Sequence, residues 1–318
     1  MTEQPAEPSA ELPGGLFAAG PPAELSARLA AAGLEPASVA RVVRTALAED
    51  LSGGADVTTV ATIPAAERGV ADLAARDAGV VAGLPVAGLV FMMVGAGQGP
   101  DLDLTVSYRV ADGDRVSPGQ VLMTVEGPLR AILTAERTAL NLVCHLSGIA
   151  TLTGKWVDAV AGTRARIRDT RKTLPGLRAL EKYAVRCGGG VNHRMSLSDA
   201  ALIKDNHVAA AGSVTMAFDA VTKLSPDLPV EVECDTLDQV EEAVAAGADL
   251  ILLDNFTVPA LARAVAVTAG RARLEASGGL TLTAAAEVAA TGVDFLAVGA
   301  LTHSAPVLDI GLDLVRAG

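Results

Sequence analysis

The sequence predicts an α/β protein, an open (incomplete) α/β barrel preceded by an N-terminal α/β sandwich domain. Three observations carry this. After residue 165, short apolar runs alternate with helical stretches, at 166–169, 201–204, 230–234, 250–254, 273–276 and 295–298. Strands separated by helices argue for a parallel sheet, and six of them are enough for one that curves without closing. Polar residues gather at the C-terminal ends of those runs, where barrels place their chemistry: Arg171-Lys172, Lys204-Asp205, Glu233, Asp254, Ser277-Gly278-Gly279 and Gly299. The chain before residue 130 reads differently, as helices followed by strands punctuated with turns.

Residues 1–23 are rich in Pro, Ala, Glu and Gly and read as a disordered tail. Residues 25–51 have helical spacing, with Leu25, Leu29, Val39, Val43 and Leu47 as buried positions and a break at 33–36. Residues 67–127 read as strands; Val70, Leu73, Val80 and Val81 fit one hairpin. The stretch 108–122, with turn signals at Asp112-Gly113 and Pro118-Gly119, is similar to the hammerhead pattern of lipoyl and biotinyl carrier domains. A carrier needs a Lys at its exposed hairpin tip. Residues 69–135 contain none, so the pattern reads as a β-rich wall. Residues 129–160 read as a long helical connection broken near Ser147-Gly148, and 307–315 alternate with period two, as a strand that returns to the N-terminal domain. The expected division is therefore 24–135 plus 305–318 for the sandwich and 136–304 for the barrel.

Composition narrows the function classes. Half of the 318 residues are hydrophobic but only 3% are aromatic, so the core must be built from Ala, Val and Leu. No apolar run reaches the ~18 residues a membrane span needs, and the N-terminus lacks a charged-then-apolar signal pattern. Cys144, Cys187 and Cys234 are widely spaced, without metal-ligand pairing, and read as reduced thiols of a cytoplasmic protein. A net charge of -12 argues against a nucleic-acid or anionic membrane partner.

Residues 166–207 oppose that charge, with nine Lys or Arg against four acids, a net +5, and two of the four histidines. The cations Arg171, Lys172, Arg194 and Lys204 sit where loops should lie, beside a turn at Pro175-Gly176 and the run Gly188-Gly189-Gly190. A cationic cluster inside an acidic chain suggests a pocket for a small, highly charged anion. A solvated basic helix face is the plainer explanation, but such a face needs neither a triple glycine nor cations just beyond strand ends.

D-T-R-K-T-L-P-G-L-R (169–178), G-G-G-V-N-H-R (188–194) and L-I-K-D-N-H (202–207) resemble signature segments of the quinolinate phosphoribosyltransferase family, in that family's order. The likeness extends over about residues 25 to 318, including Asp56-Val57-Thr58-Thr59 and Glu136-Arg137-Thr138. It implies a reaction of quinolinate with phosphoribosyl pyrophosphate that gives nicotinate mononucleotide, pyrophosphate and carbon dioxide, with Mg²⁺ as cofactor. By the same likeness, Arg171, Arg194, Lys172, Thr170 and His193 would bind the dicarboxylate, and Arg137 would come from the neighbouring subunit of a homodimer. Lys172, Lys204, Glu233 and Asp254 would be the catalytic set. Ser277, Gly278, Gly279, Val298, Gly299 and Ala300 would cradle the donor's phosphates. Mg²⁺ would be held mainly through substrate, with Glu233 and Asp254 as the carboxylates within reach.

Taken alone, the residues leave alternatives open. Glu233 fits an edge-strand carboxylate and Asp254-Asn255 a helix cap equally well, while Arg137 fits an ordinary exposed helix position. His207 and His303 read as loop hydrogen-bonders and His145 as structural. A related enzyme acting on another aromatic acid needs fewer cations than this chain carries, and a binding or carrier protein needs the missing Lys.

Overall fold

Leu25, Leu29, Val39, Val43 and Leu47 are all buried. They line one side of α1 (Ala23–Ala31) and α2 (Pro36–Leu51). The break between them is made by Gly33, whose φ of 71° suits a residue without a Cβ. Glu35 caps α2, its carboxylate accepting from the Ala37 and Ser38 amides at 2.9 and 2.6 Å, and Pro36 occupies the first turn, where no amide is needed. The computed structural model describes residues 20–97 and 104–315, so the expected disordered tail lies outside the described residues except for 20–23.

The chain divides into two compact units, one formed by residues up to 148 together with 307 onward, the other by 149–306. In the first unit, Asp56 caps α3 (Val57–Thr62) by accepting from the Thr59 amide at 3.0 Å. The strands β1 (Arg68–Ala75), β3 (Thr105–Tyr108), β5 (Val121–Pro128) and β12 (Ile310–Val315) form an antiparallel sheet in the order β12-β1-β5-β3. The C-terminal strand does return to this unit, pairing with β1 from Val70 to Ala75. One side of the sheet carries α4 (Leu84–Gly97), which packs on β3 and β5 and on α1 and α2.

Three expectations for this half are corrected. Val70, Leu73, Val80 and Val81 do not share a hairpin, because β1 pairs with β5 and β12 while β2 (Gly79–Val80) pairs with β4 (Arg115–Val116). Residues 84–97 are helix, not strand. Ten of those fourteen residues are buried, so α4 has no polar stripe to reveal a helical period. The long connection α5 (Leu129–Ala159) runs unbroken through Ser147 and Gly148. The division between the units falls inside α5, after Gly148, whereas the sequence places it at 135/136; one continuous helix offers no local signal of where its packing partners change.

In the second unit, β6 (Arg166–Arg168), β7 (Ala201–Ile203), β8 (Val230–Cys234), β9 (Leu250–Asp254), β10 (Arg273–Ser277) and β11 (Phe295–Ala297) form one parallel sheet in the order β6-β11-β10-β9-β8-β7. The helices α6 (Arg178–Cys187), α7 (Asp205–Ala211), α8 (Val214–Leu224), α9 (Leu237–Ala245), α10 (Val258–Thr268) and α11 (Ala285–Ala290) lie between these strands in sequence, and α12 (Ala300–His303) follows β11. No pairing joins β6 to β7 among the described residues, so this is the open barrel that the six apolar runs predict. At the open side, Val191 bridges in parallel to Arg168, extending the sheet beyond β6. Its core is small and aliphatic: Val232, Ile251, Leu253, Leu274, Leu296 and Ala276 are each at most 1% exposed. Gly188 and Gly190 serve packing: a Cβ at Gly188 would stand 2.6 Å from Thr153 Cβ, and one at Gly190 would stand 2.7 Å from Val185 Cγ1.

Candidate active site

Parallel strands that all run one way deliver their C-terminal ends to a single edge of the barrel unit. Past β6 the chain continues into Asp169, Thr170, Arg171 and Lys172, and past β7 into Lys204. Glu233 lies in β8, Asp254 ends β9 and Ser277 ends β10, while Val298, Gly299 and Ala300 follow β11. The predicted residues of the barrel unit therefore share that edge, apart from His193 and Arg194, which stand on the segment extending the sheet beyond β6. Arg137 is exposed on α5, in the other unit.

The cationic loops are held from beneath. Asp169 and Lys182 are fully buried and form an ion pair; Lys182 Nζ also donates to the His193 carbonyl at 2.9 Å. Burial pushes the Asp169 carboxyl up and the Lys182 amine down, and their mutual attraction opposes both shifts. Asp169 accepts further from the His193 amide at 2.7 Å and from Asn192 Nδ2 at 2.5 Å. The end of β6 and the segment 192–194 are thus one hydrogen-bonded unit, and Arg171 and Arg194 extend from it.

Arg171 and Arg194 each have a buried Nε without a hydrogen-bond partner. Burial lowers the pKa of Arg194, and the neighbouring Arg171 charge lowers it further, while Asp199 and Glu231 pull the other way. Arg194 Nη1 donates to the Ala200 carbonyl at 2.9 Å. The loop beneath it is fastened by Asp199, whose carboxylate burial would raise but which the Met195 and Ser196 amides, at 2.7 and 2.8 Å, draw down to about 2. Two guanidiniums with unused donors and mutual repulsion make a site prepared for anionic oxygens. Lys172 is exposed, its amide donating to Thr170 Oγ1 at 3.0 Å and its carbonyl accepting from Thr302 Oγ1 at 2.9 Å.

On the acidic side, Lys204 Nζ donates to Glu233 Oε2 at 2.5 Å. β8 lies between β7 and β9, so Glu233 is not an edge-strand carboxylate. Asp254 does not cap a helix: α10 has Thr257 at its N-cap position, and Asp254 Oδ2 instead accepts from Asn255 Nδ2 at 2.7 Å. Asn255 has φ 56° and its amide donates to the Ser277 carbonyl at 2.9 Å, which brings the ends of β9 and β10 together. Gly278 and Gly279, at φ 88° and 56°, turn the chain there. His207 behaves as a loop hydrogen-bonder, its Nδ1 accepting from the Lys204 amide at 2.9 Å.

His193 departs from its expected role. It is 8% exposed, and its ring turns to the barrel interior, with Nε2 2.8 Å from Glu231 Oε2 and 3.6 Å from Glu275 Oε1. The interior of small barrels is filled by side chains, and His193, two residues beyond the Val191 bridge to β6, delivers its ring into that layer instead of toward solvent. Arg168 joins the same cluster, 2.5 Å from Glu275 Oε2 and 3.9 Å from Glu231 Oε1. The ligand atoms of His193, Glu231 and Glu275 lie within 4.8 Å of one another and could hold a metal ion, although Arg168 already supplies a cation there. Sequence reasoning missed Arg168, Lys182, Glu231 and Glu275. The available signal was an acid inside an otherwise apolar strand, Val230-Glu231-Val232 and Leu274-Glu275-Ala276.

The quinolinate phosphoribosyl transferase C-terminal domain model matches residues 149–313, and the N-terminal domain model matches 56–147. The chain belongs to the quinolinate phosphoribosyltransferase family. Among relatives, a nicotinate-nucleotide pyrophosphorylase [carboxylating] of Mycobacterium leprae is 58% identical over 275 residues, covering 86% of this chain and 95% of that protein. The chloroplastic enzyme of that name from Arabidopsis thaliana is 41% identical, covering 86% and 82%. The solved structure of the nicotinate-nucleotide pyrophosphorylase from Francisella tularensis superposes with a TM-score of 0.83 at 37% identity, covering 87% of this chain and 96% of that one. No described helix of this family member is long and apolar enough to cross a membrane.

Proposed function

We propose that the chain transfers phosphoribosyl from phosphoribosyl pyrophosphate to quinolinate with decarboxylation, giving nicotinate mononucleotide, pyrophosphate and carbon dioxide for NAD synthesis. The observation that carries this reading is the pair Arg171 and Arg194, each with a buried unpartnered Nε, in a chain of this family. Two guanidinium forks match a planar dicarboxylate, and a monocarboxylate would leave one of them unneutralised. Lys172 adds a cation on the same loop and Lys204 one at the end of β7, and Arg137 of a second subunit closes the pocket of a homodimer.

In this reading the pyridine nitrogen attacks C1′ of the ribose as the C1′–O bond to pyrophosphate breaks. Oxocarbenium-like positive charge develops on the ribose, and the Glu233 and Asp254 carboxylates stabilise it. The Lys204 ion pair holds Glu233 in place. Backbone amides around Ser277, Gly278, Gly279, Val298, Gly299 and Ala300 cradle the phosphates, which glycine loops at barrel strand ends allow. The cationic ring nitrogen of the adduct stabilises the electron pair left on C2 when the 2-carboxylate departs as carbon dioxide, and a proton from solvent then takes that carboxylate's place at C2, so no covalent enzyme nucleophile is needed. Glu233 and Asp254 each have one carboxylate oxygen engaged by a neighbour and offer the other as a hard donor, the kind Mg²⁺ takes. When bound, Mg²⁺ would neutralise charge on the leaving pyrophosphate. The three free cysteines support a cytoplasmic setting.

The test is formation of nicotinate mononucleotide from phosphoribosyl pyrophosphate with quinolinate, and with nicotinate as the control acceptor. Turnover with quinolinate alone is expected. Equal turnover with nicotinate would overturn the dicarboxylate assignment.

A further inference from the structure

All four polar atoms of His193 are engaged within the barrel unit. Its amide donates to Asp169 Oδ1 at 2.7 Å and its carbonyl accepts from Lys182 Nζ at 2.9 Å. In the ring, Nδ1 accepts from the Arg194 backbone amide at 2.7 Å and Nε2 stands 2.8 Å from Glu231 Oε2. A ring nitrogen that accepts an N–H carries no hydrogen, so the hydrogen is on Nε2 and points to Glu231. No ring atom is left over for a ligand, and the ring instead joins a buried carboxylate to the backbone of Arg194.

Glu231 is the second residue of β8 and is 3% exposed. Burying a carboxylate is costly unless it is paired, so its presence here asks for a partner that uses the charge. Arg168 is a poor one, at 3.9 Å from Glu231 Oε1 against 2.5 Å for its contact with Glu275. Burial and then the Glu231 charge push the Glu275 carboxyl up to about 8. That charge opposes the pKa depression that burial and Arg171 impose on Arg194.

We infer that Glu231 is a positioning residue for acceptor recognition: it holds the His193 ring, whose Nδ1 fixes the Arg194 amide, and it balances the charge of Arg194 beside Arg171. This rests on the reading in which Arg194 binds a carboxylate of the acceptor. Glu231 would touch no substrate atom. Its effect would appear in the affinity for the dicarboxylate and not in that for the ribosyl donor, whose proposed contacts stand on β8, β9, β10 and the loop after β11.

Two measurements test it on the full-length protein. In ¹⁵N-histidine NMR of the wild type, His193 should show an unprotonated Nδ1 and a protonated Nε2. In steady-state kinetics, Glu231→Gln keeps an acceptor for Nε2–H but removes the charge, and Glu231→Leu removes both. Glu231→Gln should raise KM for quinolinate roughly tenfold, the scale of one hydrogen bond to a charged group, and Glu231→Leu should raise it further. KM for phosphoribosyl pyrophosphate should stay unchanged in both. A folded Glu231→Gln with unchanged quinolinate KM, or with both KM values raised alike, would overturn the inference, as would a His193 protonated at Nδ1. If neither variant folds, the wild-type tautomer decides. A wild type that makes no nicotinate mononucleotide would instead overturn the functional reading, which keeps the two failures distinct.

Discussion

Several influences meet at Arg194, because burial, Arg171, Asp199 and Glu231 all act on it. Arg194→Lys replaces a planar fork by a point charge. Losing a buried, charge-assisted pair with the acceptor should weaken quinolinate binding by roughly 2–5 kcal/mol. Calorimetry with each ligand checks this: phosphoribosyl pyrophosphate should bind as before, and equal losses for both would count against the assignment. Glu233→Gln and Asp254→Asn should act on the other side of the kinetics. Their charge matters most when positive charge develops on the ribose, so kcat should fall more than quinolinate affinity; two variants with wild-type turnover would make these carboxylates structural. Glu275 reports through stability. Its carboxyl rises from 4.5 to about 8 in the fold, chiefly by burial. The native protein then binds more protons than the unfolded chain between those values, so the contribution is fully present below about 4.5 and lost as pH rises through about 8. Melting temperature should decline across that window in the wild type and decline less in Glu275→Gln.

Among the elements, the β9 and β10 ends are tied by one backbone arrangement that tolerates little change. Gly278 sits at φ 88°, and a Cβ there would collide with Asn255 Oδ1 and stand 2.8 Å from the Asn255 amide nitrogen. Gly278→Ala should therefore displace the turn after β10 and cost about 1–3 kcal/mol of stability. Because that turn is a proposed phosphate cradle, KM for phosphoribosyl pyrophosphate should rise more than KM for quinolinate. A variant with native melting and native donor KM would show that the loop relaxes freely. Helix α4 makes the complementary point. Leu84–Gly97 is apolar on all sides because it is buried on nearly all sides, and its period was invisible for that reason.

For the whole molecule, the shared site is the proposal with the clearest test. Arg137 is exposed on α5, and the family likeness would place it in the site of a second subunit. Arg137→Ala and Arg171→Ala chains should each be inactive. In a mixed dimer one site collects both defects and the other neither, so activity should return to about one site in four after equal mixing. Mixing that restores nothing, with exchange confirmed by mass spectrometry, would place Arg137 elsewhere.

What the sequence determined by itself is whatever depends on neighbours along the chain. The six strands of the barrel unit, the helices of 23–51 and the returning C-terminal strand follow from apolar period and turn residues. Residues Arg171, Lys172, Lys204, Glu233, Asp254 and Ser277 reach one edge because parallel strands present their ends together. The tertiary structure alone decided what depends on residues far apart in sequence. It broke the expected hairpin, since strand pairing joins segments without regard to their spacing, and it closed Lys182 onto Asp169. It also turned His193 inward, because Glu231 and Glu275 come from strands that no local pattern relates to residue 193. A histidine beside an arginine looks the same in sequence whether its ring meets a ligand or a buried carboxylate; the partner across the barrel settles which.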